Sequence, residues 1–256
     1  MAITVTALAT TPVKGTRLRD VPAIELGPHG AAGDRAFFVI DERGRMVNGK
    51  NFNTLLTVVA DYDREGSTLT LTFPDGARAS GEVLYGDAIT TSFFSEPKQA
   101  REVRGPWSEA LSEFFGARLR VVATQSAVDR GREGAISVIS RASLGRLAGV
   151  AGREAVDARR FRMLIEVDGI GAHEEDEWLG RRVRIGAALV RPHGHVGRCA
   201  VTTRDPETAE SDLNTLKLLA TYRHKLDTTE PLAFGIHGEV LEGGPVRLGD
   251  AVTVED

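Results

Sequence analysis

One cysteine is present in 256 residues, Cys199, at the end of Arg191-Pro192-His193-Gly194-His195-Val196-Gly197-Arg198. A lone thiol forms no internal disulfide, so it is either a small buried apolar side chain or a reactive or metal-bound sulfur. Arg198 places a cation next to it in the sequence, which favours the thiolate, the form that attacks and ligates. The Gly, Pro and His residues around it read as loop, where functional groups concentrate. His193, His195 and Cys199 are close enough in sequence to share a metal such as zinc, although a structural zinc site would need a fourth ligand. Either histidine could equally serve as the base for a nucleophilic Cys199.

A second set of groups suits anions. Lys14 lies in Thr11-Pro12-Val13-Lys14-Gly15, Arg35 in Gly33-Asp34-Arg35, and Arg159, Arg160 and Arg162 within four residues. Singly these read as solvated charges. Gathered at one cleft they would hold a phosphate, which both guanidinium forks and ammonium groups suit. Ser140 reads as a helix N-cap, and free N–H groups at a helix start are a further phosphate seat. The run His173-Glu174-Glu175-Asp176-Glu177-Trp178 reads as a solvated turn or as the source of a proton-transferring carboxylate. No dinucleotide fingerprint, P-loop or serine-nucleophile elbow occurs in its required context.

These groups need a scaffold. Short β-branched and apolar segments at Ile3 to Leu8, Ala36 to Ile40, Leu55 to Tyr62 and Thr68 to Phe73 alternate with Gly, Asp and Pro turns, a pattern of barrels and folded sheets. A helix is expected from Pro106 to Phe115, ending on Gly116. A strand at Ala135 to Ile139 then leads into a helix that starts at Ser140 and closes at Gly149. Further strands are expected at Arg162 to Val167, Val183 to Val190, Phe234 to Leu241 and Ala251 to Val254. Tyr85-Gly86-Asp87 and Leu248-Gly249-Asp250 share a Gly-Asp turn signal.

Composition is that of an ordinary globular chain, with 41% hydrophobic and 27% charged residues and a net charge of −4. The charge gives no support for nucleic-acid binding. No apolar run approaches the roughly 20 residues of a membrane span. The N-terminus lacks the pattern of a signal peptide, and one cysteine fits a reducing, cytoplasmic setting.

Taken in order, several segments resemble the MOSC family, named for the C-terminal domain of molybdenum-cofactor sulfurase. They are Pro12-Val13-Lys14-Gly15, Gly33-Asp34-Arg35-Ala36-Phe37, Ile139-Ser140-Arg141-Ala142-Ser143-Leu144 and Arg160-Phe161-Arg162, then Glu174 to Gly180, Gly197-Arg198-Cys199, Thr202 to Thr208, Tyr222-Arg223, Phe234-Gly235 and Gly249-Asp250. The resemblance implies a mainly β (α+β) fold. An N-terminal β-barrel-like domain would span 1–116 and a β-rich MOSC domain with a few short helices 117–256. It implies a molybdenum pterin cofactor (Mo-molybdopterin) held by Lys14, Arg35, Ser140 and Arg162, with Cys199 as metal ligand and Asp176 as a catalytic carboxylate near the metal. The enzymatic branch, like the mitochondrial amidoxime-reducing component, reduces N-hydroxylated small molecules. With no iron–sulfur module in the chain, electrons would come from a separate ferredoxin- or flavin-type protein. Pyridoxal phosphate is a family-level association only, since the sulfurase's pyridoxal-phosphate domain is absent from this chain. A non-catalytic carrier of the cofactor or its sulfur is the second reading, and a thiol enzyme using Cys199 the third. Many enzymatic members carry Pro-Asn after the Phe-Arg pair, where this chain has Met163-Leu164.

Overall fold

A computed structural model describes residues 2–49, 51–93, 96–124 and 131–255. The first half contains β1 (Ile3–Thr10), β2 (Arg19–Asp20), β3 (Ala23–Gly27), β4 (Gly30–Ala31), β5 (Phe37–Asp41), β6 (Val59–Asp63), β7 (Thr68–Thr72), β8 (Arg78–Glu82), β9 (Leu84–Phe93), β10 (Glu96–Arg104), α1 (Trp107–Phe115) and β11 (Leu119–Ala123). The second contains β12 (Ile136–Ser140), α2 (Arg141–Ala151), β13 (Ile165–Asp168), β14 (Arg182–Ile185), β15 (Ala188–His195), α3 (Thr215–Tyr222), β16 (Ile236–Glu242), β17 (Gly244–Arg247) and β18 (Ala251–Glu255). The fold is mainly β.

Seven strands close a barrel in the order β13-β12-β16-β15-β14-β18-β1, with β1 returning to pair with β13. Closure removes the exposed edges an open sheet would carry. The inward positions of these strands, among them Val5, Leu8, Val138, Ile165, Val183, Val190 and Ile236, form one buried cluster. The other lobe packs the sheet β5-β11-β10-β9 against β6-β7-β8 around Phe37, Leu55, Leu69, Leu71, Trp107 and Leu111. Trp107 is fully buried, and its Nε1–H donates to the Leu69 carbonyl at 2.9 Å, so the indole is packed and satisfied.

Sheet membership does not follow the order of the chain. β1 belongs to the barrel otherwise built from the C-terminal half, and β3 pairs with β17. Conversely β11, beyond residue 116, pairs with β5 and β10. The chain therefore crosses between lobes just after β1, and the Thr11–Phe37 segment lies where the lobes meet.

Several elements differ locally from the sequence expectation. Leu55 opens no strand: Asn53–Thr57 is a 3-10 turn, and β6 begins at Val59. The span from Val183 to Val190 is two strands, because Gly186 (φ 57°) turns the chain where a side chain would strike Asp250. α2 runs past Gly149 and closes on left-handed Gly152. Gly86-Asp87 lies inside β9 whereas Gly249-Asp250 is a turn, so the shared signal marks no repeat.

Candidate active site between the lobes

A cavity of about 420 Å³ opens where the lobes meet. Its walls come from the β1–β5 connection (Lys14, His29, Asp34, Arg35), the start of β12 (Ala135 to Ser137), the Phe161 to Leu164 corner, Val196-Gly197, and His237 on β16. Three basic residues, Lys14, Arg35 and Arg162, and one carboxylate residue, Asp34, line it. This size and polarity suit a small anionic ligand.

The two arginines interlock the lobes. Arg35 donates through Nη2 to the Arg162 carbonyl at 2.9 Å, and its Nη1 pairs with Asp34. Arg162 donates through Nη2 to the Thr16 carbonyl at 2.8 Å. Both sit at positive φ, 49° and 55°. For Arg162 the cause is visible: it caps a 3-10 turn (Ala158–Phe161) and its N–H bonds back to the Arg159 carbonyl, so β13 starts only at Ile165. Asp34 holds the opposite side, accepting from the Thr11 N–H at 2.9 Å. The Lys14 ammonium lies 5.5 Å from the Phe93 ring centroid.

Arg159 and Arg160 do not join this wall. Arg159 pairs with Asp157 and Glu207, and Arg160, buried, forks onto Asp212 at 2.7 and 2.8 Å. They pin the segment that follows Cys199. In that segment Asp205 accepts from the Glu207 and Thr208 N–H groups, which together with Arg160 holds its carboxyl below the usual range.

Ser140 caps α2, accepting from the Ser143 N–H at 3.1 Å; it is fully buried and does not line the cavity. The buried Glu175 carboxylate occupies the anion seat instead, accepting from the Ser140 N–H at 3.1 Å and the Ser143 hydroxyl at 2.7 Å. The N–H of the capping residue is thus taken by a carboxylate of the chain itself.

Asp176 is held between Arg223, 2.8 Å from its Oδ2, and His195, whose Nε2 is 3.5 Å from Oδ1. It too lies off the cavity wall. Nearby His173 is packed beside Tyr222 and Phe234 with neither ring nitrogen hydrogen-bonded. Burial, reinforced by the Arg223 charge, pushes its imidazole down to about 4. Within the acidic run Glu175 and Trp178 are buried and Asp176 is half-buried, whereas Glu174 and Glu177 are exposed to solvent.

Cys199 is exposed, which removes the inert-core reading. It begins a 3-10 turn (Ala200–Thr203), two residues beyond Gly197 on the cavity wall. The Arg198 side chain turns inward and donates to the Phe161 and Phe234 carbonyls, so it fixes the loop. The histidines diverge because β15 carries a register shift between Pro192 and Gly194: His195 faces Asp176 while His193 stacks edge-on against His237, 5.0 Å between centroids. No group of three His, Cys, Asp or Glu side chains could hold a metal among the described residues. Among the described residues, then, no zinc site is assembled.

Sequence comparison agrees with this architecture. The MOSC domain matches residues 125–253, and the MOSC N-terminal beta barrel domain matches residues 2–119. The chain belongs to the MOSC domain family. Within this MOSC protein, similarity extends along nearly the whole length to mitochondrial amidoxime-reducing component 1 of Mus musculus, 27% identical over 93% of this chain and 77% of that protein. Component 1 of Xenopus laevis is 26% identical over 94% and 79%, and component 2 of Bos taurus 26% over 97% and 82%.

The MOSC cavity also contains groups that sequence reasoning passed over: His29, Asp34, Ser137 and His237. His237 follows Phe234-Gly235, a segment already singled out, and only its strand register shows that it faces Ser137 across β12.

Proposed function

We propose that this protein is a molybdenum-pterin-dependent oxidoreductase that reduces N-hydroxylated small molecules with electrons from a separate ferredoxin- or flavin-type protein. The observation that carries the reading is the interlobe cavity lined by Lys14, Arg35 and Arg162, in a chain related over most of its length to amidoxime-reducing components. The residues fit the cofactor. Lys14, Arg35 and Arg162 supply cations for its phosphate, and Cys199 supplies an exposed soft thiolate for molybdenum beside the Gly197 wall. When bound, that group would deliver two electrons to the substrate.

The chain's own residues prepare the site. Arg35 and Arg162, cross-bonded to backbone of both lobes, keep the cationic wall in place without a ligand, so little reorganisation accompanies binding. Arg198 orients the strand end that leads to Cys199. Asp176 acts as a positioning residue, tying Arg223 to the His195 end of β15. Where relatives of the enzymatic branch have Pro-Asn, Met163 and Leu164 are buried, and the Leu164 N–H is taken by the Ser137 hydroxyl. This wall therefore offers no side-chain amide, and retention of the cofactor rests on the cationic wall and Cys199.

The test is metal and pterin analysis of protein from a host that makes the cofactor, followed by reduction of benzamidoxime with an artificial electron donor. Molybdenum with turnover is expected. Molybdenum without turnover would favour a carrier, and no molybdenum would overturn the reading.

A further inference from the structure

The segment after Cys199 is a compact hairpin with Glu207 near its tip. Cys199 opens it, and the Cys199 carbonyl accepts from the Thr202 N–H at 3.1 Å and the Thr202 hydroxyl at 3.0 Å. The two arms meet as an antiparallel bridge between Arg204 and Ser211, and the Asp212 and Leu213 N–H groups return to the Thr203 carbonyl. Asp205 turns the tip by accepting from the N–H groups of Glu207 and Thr208 at 2.8 and 2.9 Å. These bonds are local.

Glu207 reaches out of the hairpin to two arginines. Its Oε2 lies 2.5 Å from Arg17 Nη1 and its Oε1 2.6 Å from Arg159 Nη1, while Arg17 Nη2 donates to the Glu207 carbonyl at 2.8 Å. The two arginines belong to different lobes. Arg159 stands on the 3-10 turn Ala158–Phe161 in the second half of the chain. The Arg17 N–H donates to the Val58 carbonyl, and Arg17 bridges to Val59 at the start of β6, so its backbone is tied to the first lobe. Val201 and Pro206 share a small surface pit with Leu18 and Leu56, and a Cβ built on Gly49 would lie 3.3 Å from Val201. The hairpin thus lies close against the first lobe, and one carboxylate ties it to both.

We propose that Glu207 is a positioning residue for Cys199: by clamping the hairpin to Arg17 and Arg159 it fixes the exposed thiol beside the cavity, an inference that rests on the reading of Cys199 as the metal ligand. Upstream of the thiol, the Arg198 side chain anchors the loop on the Phe161 and Phe234 carbonyls. Downstream, Glu207 does so across the lobes. Its side chain is 48% exposed, so salt weakens both ion pairs. Two such pairs together shift a local opening equilibrium by about two- to 30-fold.

The chain's single cysteine is exposed, so a nitroxide attached to it reports its mobility in metal-free protein. Glu207→Gln keeps the length of the side chain and removes its charge. At low salt the nitroxide spectrum of this variant should narrow relative to wild type. Amides from Ala200 to Ala209 should exchange hydrogen about two- to 30-fold faster, with those of β15 unchanged. Arg17→Gln should act in the same direction, and combining the two should add little to Glu207→Gln, because both remove one interaction. In about 1 M salt the wild type should approach the variant. In molybdenum-loaded protein, kcat per bound molybdenum should fall by a similar factor with KM for benzamidoxime unchanged. A wild-type nitroxide spectrum and exchange rate in Glu207→Gln at low salt overturn the proposal, and so does full kcat per molybdenum despite faster exchange. Absence of molybdenum from the wild type overturns the parent reading instead, and the nitroxide and exchange measurements then decide the clamp by themselves.

Discussion

Replacing Arg160 by Leu measures how strongly the segment after Cys199 is tied down. The guanidinium is 4% exposed and makes a two-pronged contact with Asp212 at 2.7 and 2.8 Å, with Asp205 at 3.6 Å. Breaking a fully buried ion pair by removing one partner costs about 3–5 kcal/mol. Here Asp212 is 34% exposed and keeps Arg153 at 3.1 Å, so water and a second cation offset part of the loss. Arg160→Leu should therefore cost about 2–3 kcal/mol, and roughly 4–12 °C in Tm for a chain of this length. The Arg160 contact lowers the Asp212 carboxyl below its ordinary range. A carboxylate of that kind stabilises the fold above its unfolded pKa, near 3.9, and loses the contribution as pH falls through the folded value. The gap between wild type and variant should hold from pH 7 to about 5 and narrow below about 4. Urea unfolding at pH 7, 5 and 3.5, with limited proteolysis around Arg204, checks both magnitude and location. A change under about 0.5 kcal/mol at pH 7, or a gap that widens in acid, refutes the reasoning.

Cys199→Ser should abolish molybdenum-dependent turnover while changing stability by less than about 0.5 kcal/mol, because the side chain is exposed; activity and thermal melts read the two separately. Iodoacetamide should alkylate Cys199 in folded, metal-free protein, and a failure to react by mass spectrometry would contradict its exposure. Lys14→Met should lower pterin retention after gel filtration, with the difference from wild type largest at low salt and narrowing as salt rises, since its cavity role is to oppose an anion. His173 has a folded pKa of about 4 against an unfolded value near 6.5, so its contribution is present above 6.5 and lost as pH falls towards 4. His173→Phe should lessen acid destabilisation between pH 6.5 and 4 by about 1–2 kcal/mol after solvent screening, measured as unfolding free energy against wild type.

What the sequence made legible was set by local physics. Pro106, the apolar stripe of α1 and left-handed Gly116 define that helix without help from the rest of the chain. Ser140 likewise reads directly as a cap. The cationic residues were legible as types, but not their division between Arg35 and Arg162 on the cavity and Arg159 and Arg160 on carboxylates. That division depends on which carboxylates the fold brings near, and Asp212 is 52 positions from Arg160. Glu175 and Ser140 show the same limit. A carboxylate that takes the N-terminus of a helix 35 positions earlier leaves no periodic or local signal. The two histidines of the Cys199 stretch looked like a shared cluster because they were read as loop. β15 extends through His195, but its register with β16 shifts between Pro192 and Gly194, and that bulge turns one towards Asp176 and the other towards His237.

The exchange of β1 between halves explains why such a site can be rigid although its groups come from distant parts of the chain. β1 is hydrogen-bonded on both sides within the barrel, to β13 and β18. The chain leaves it at Thr10, and the next residues carry Thr11, Lys14 and Thr16, so their backbone is anchored to the lobe that supplies Arg162. The bonds from Arg162 to Thr16 and from Arg35 to Arg162 then connect elements already held by the barrel. Lobes joined by one flexible linker would have to order these contacts when ligand arrived, at a cost in conformational entropy of about 0.5–1.5 kcal/mol per side chain. Here folding has already met that cost, and the cationic wall precedes its ligand.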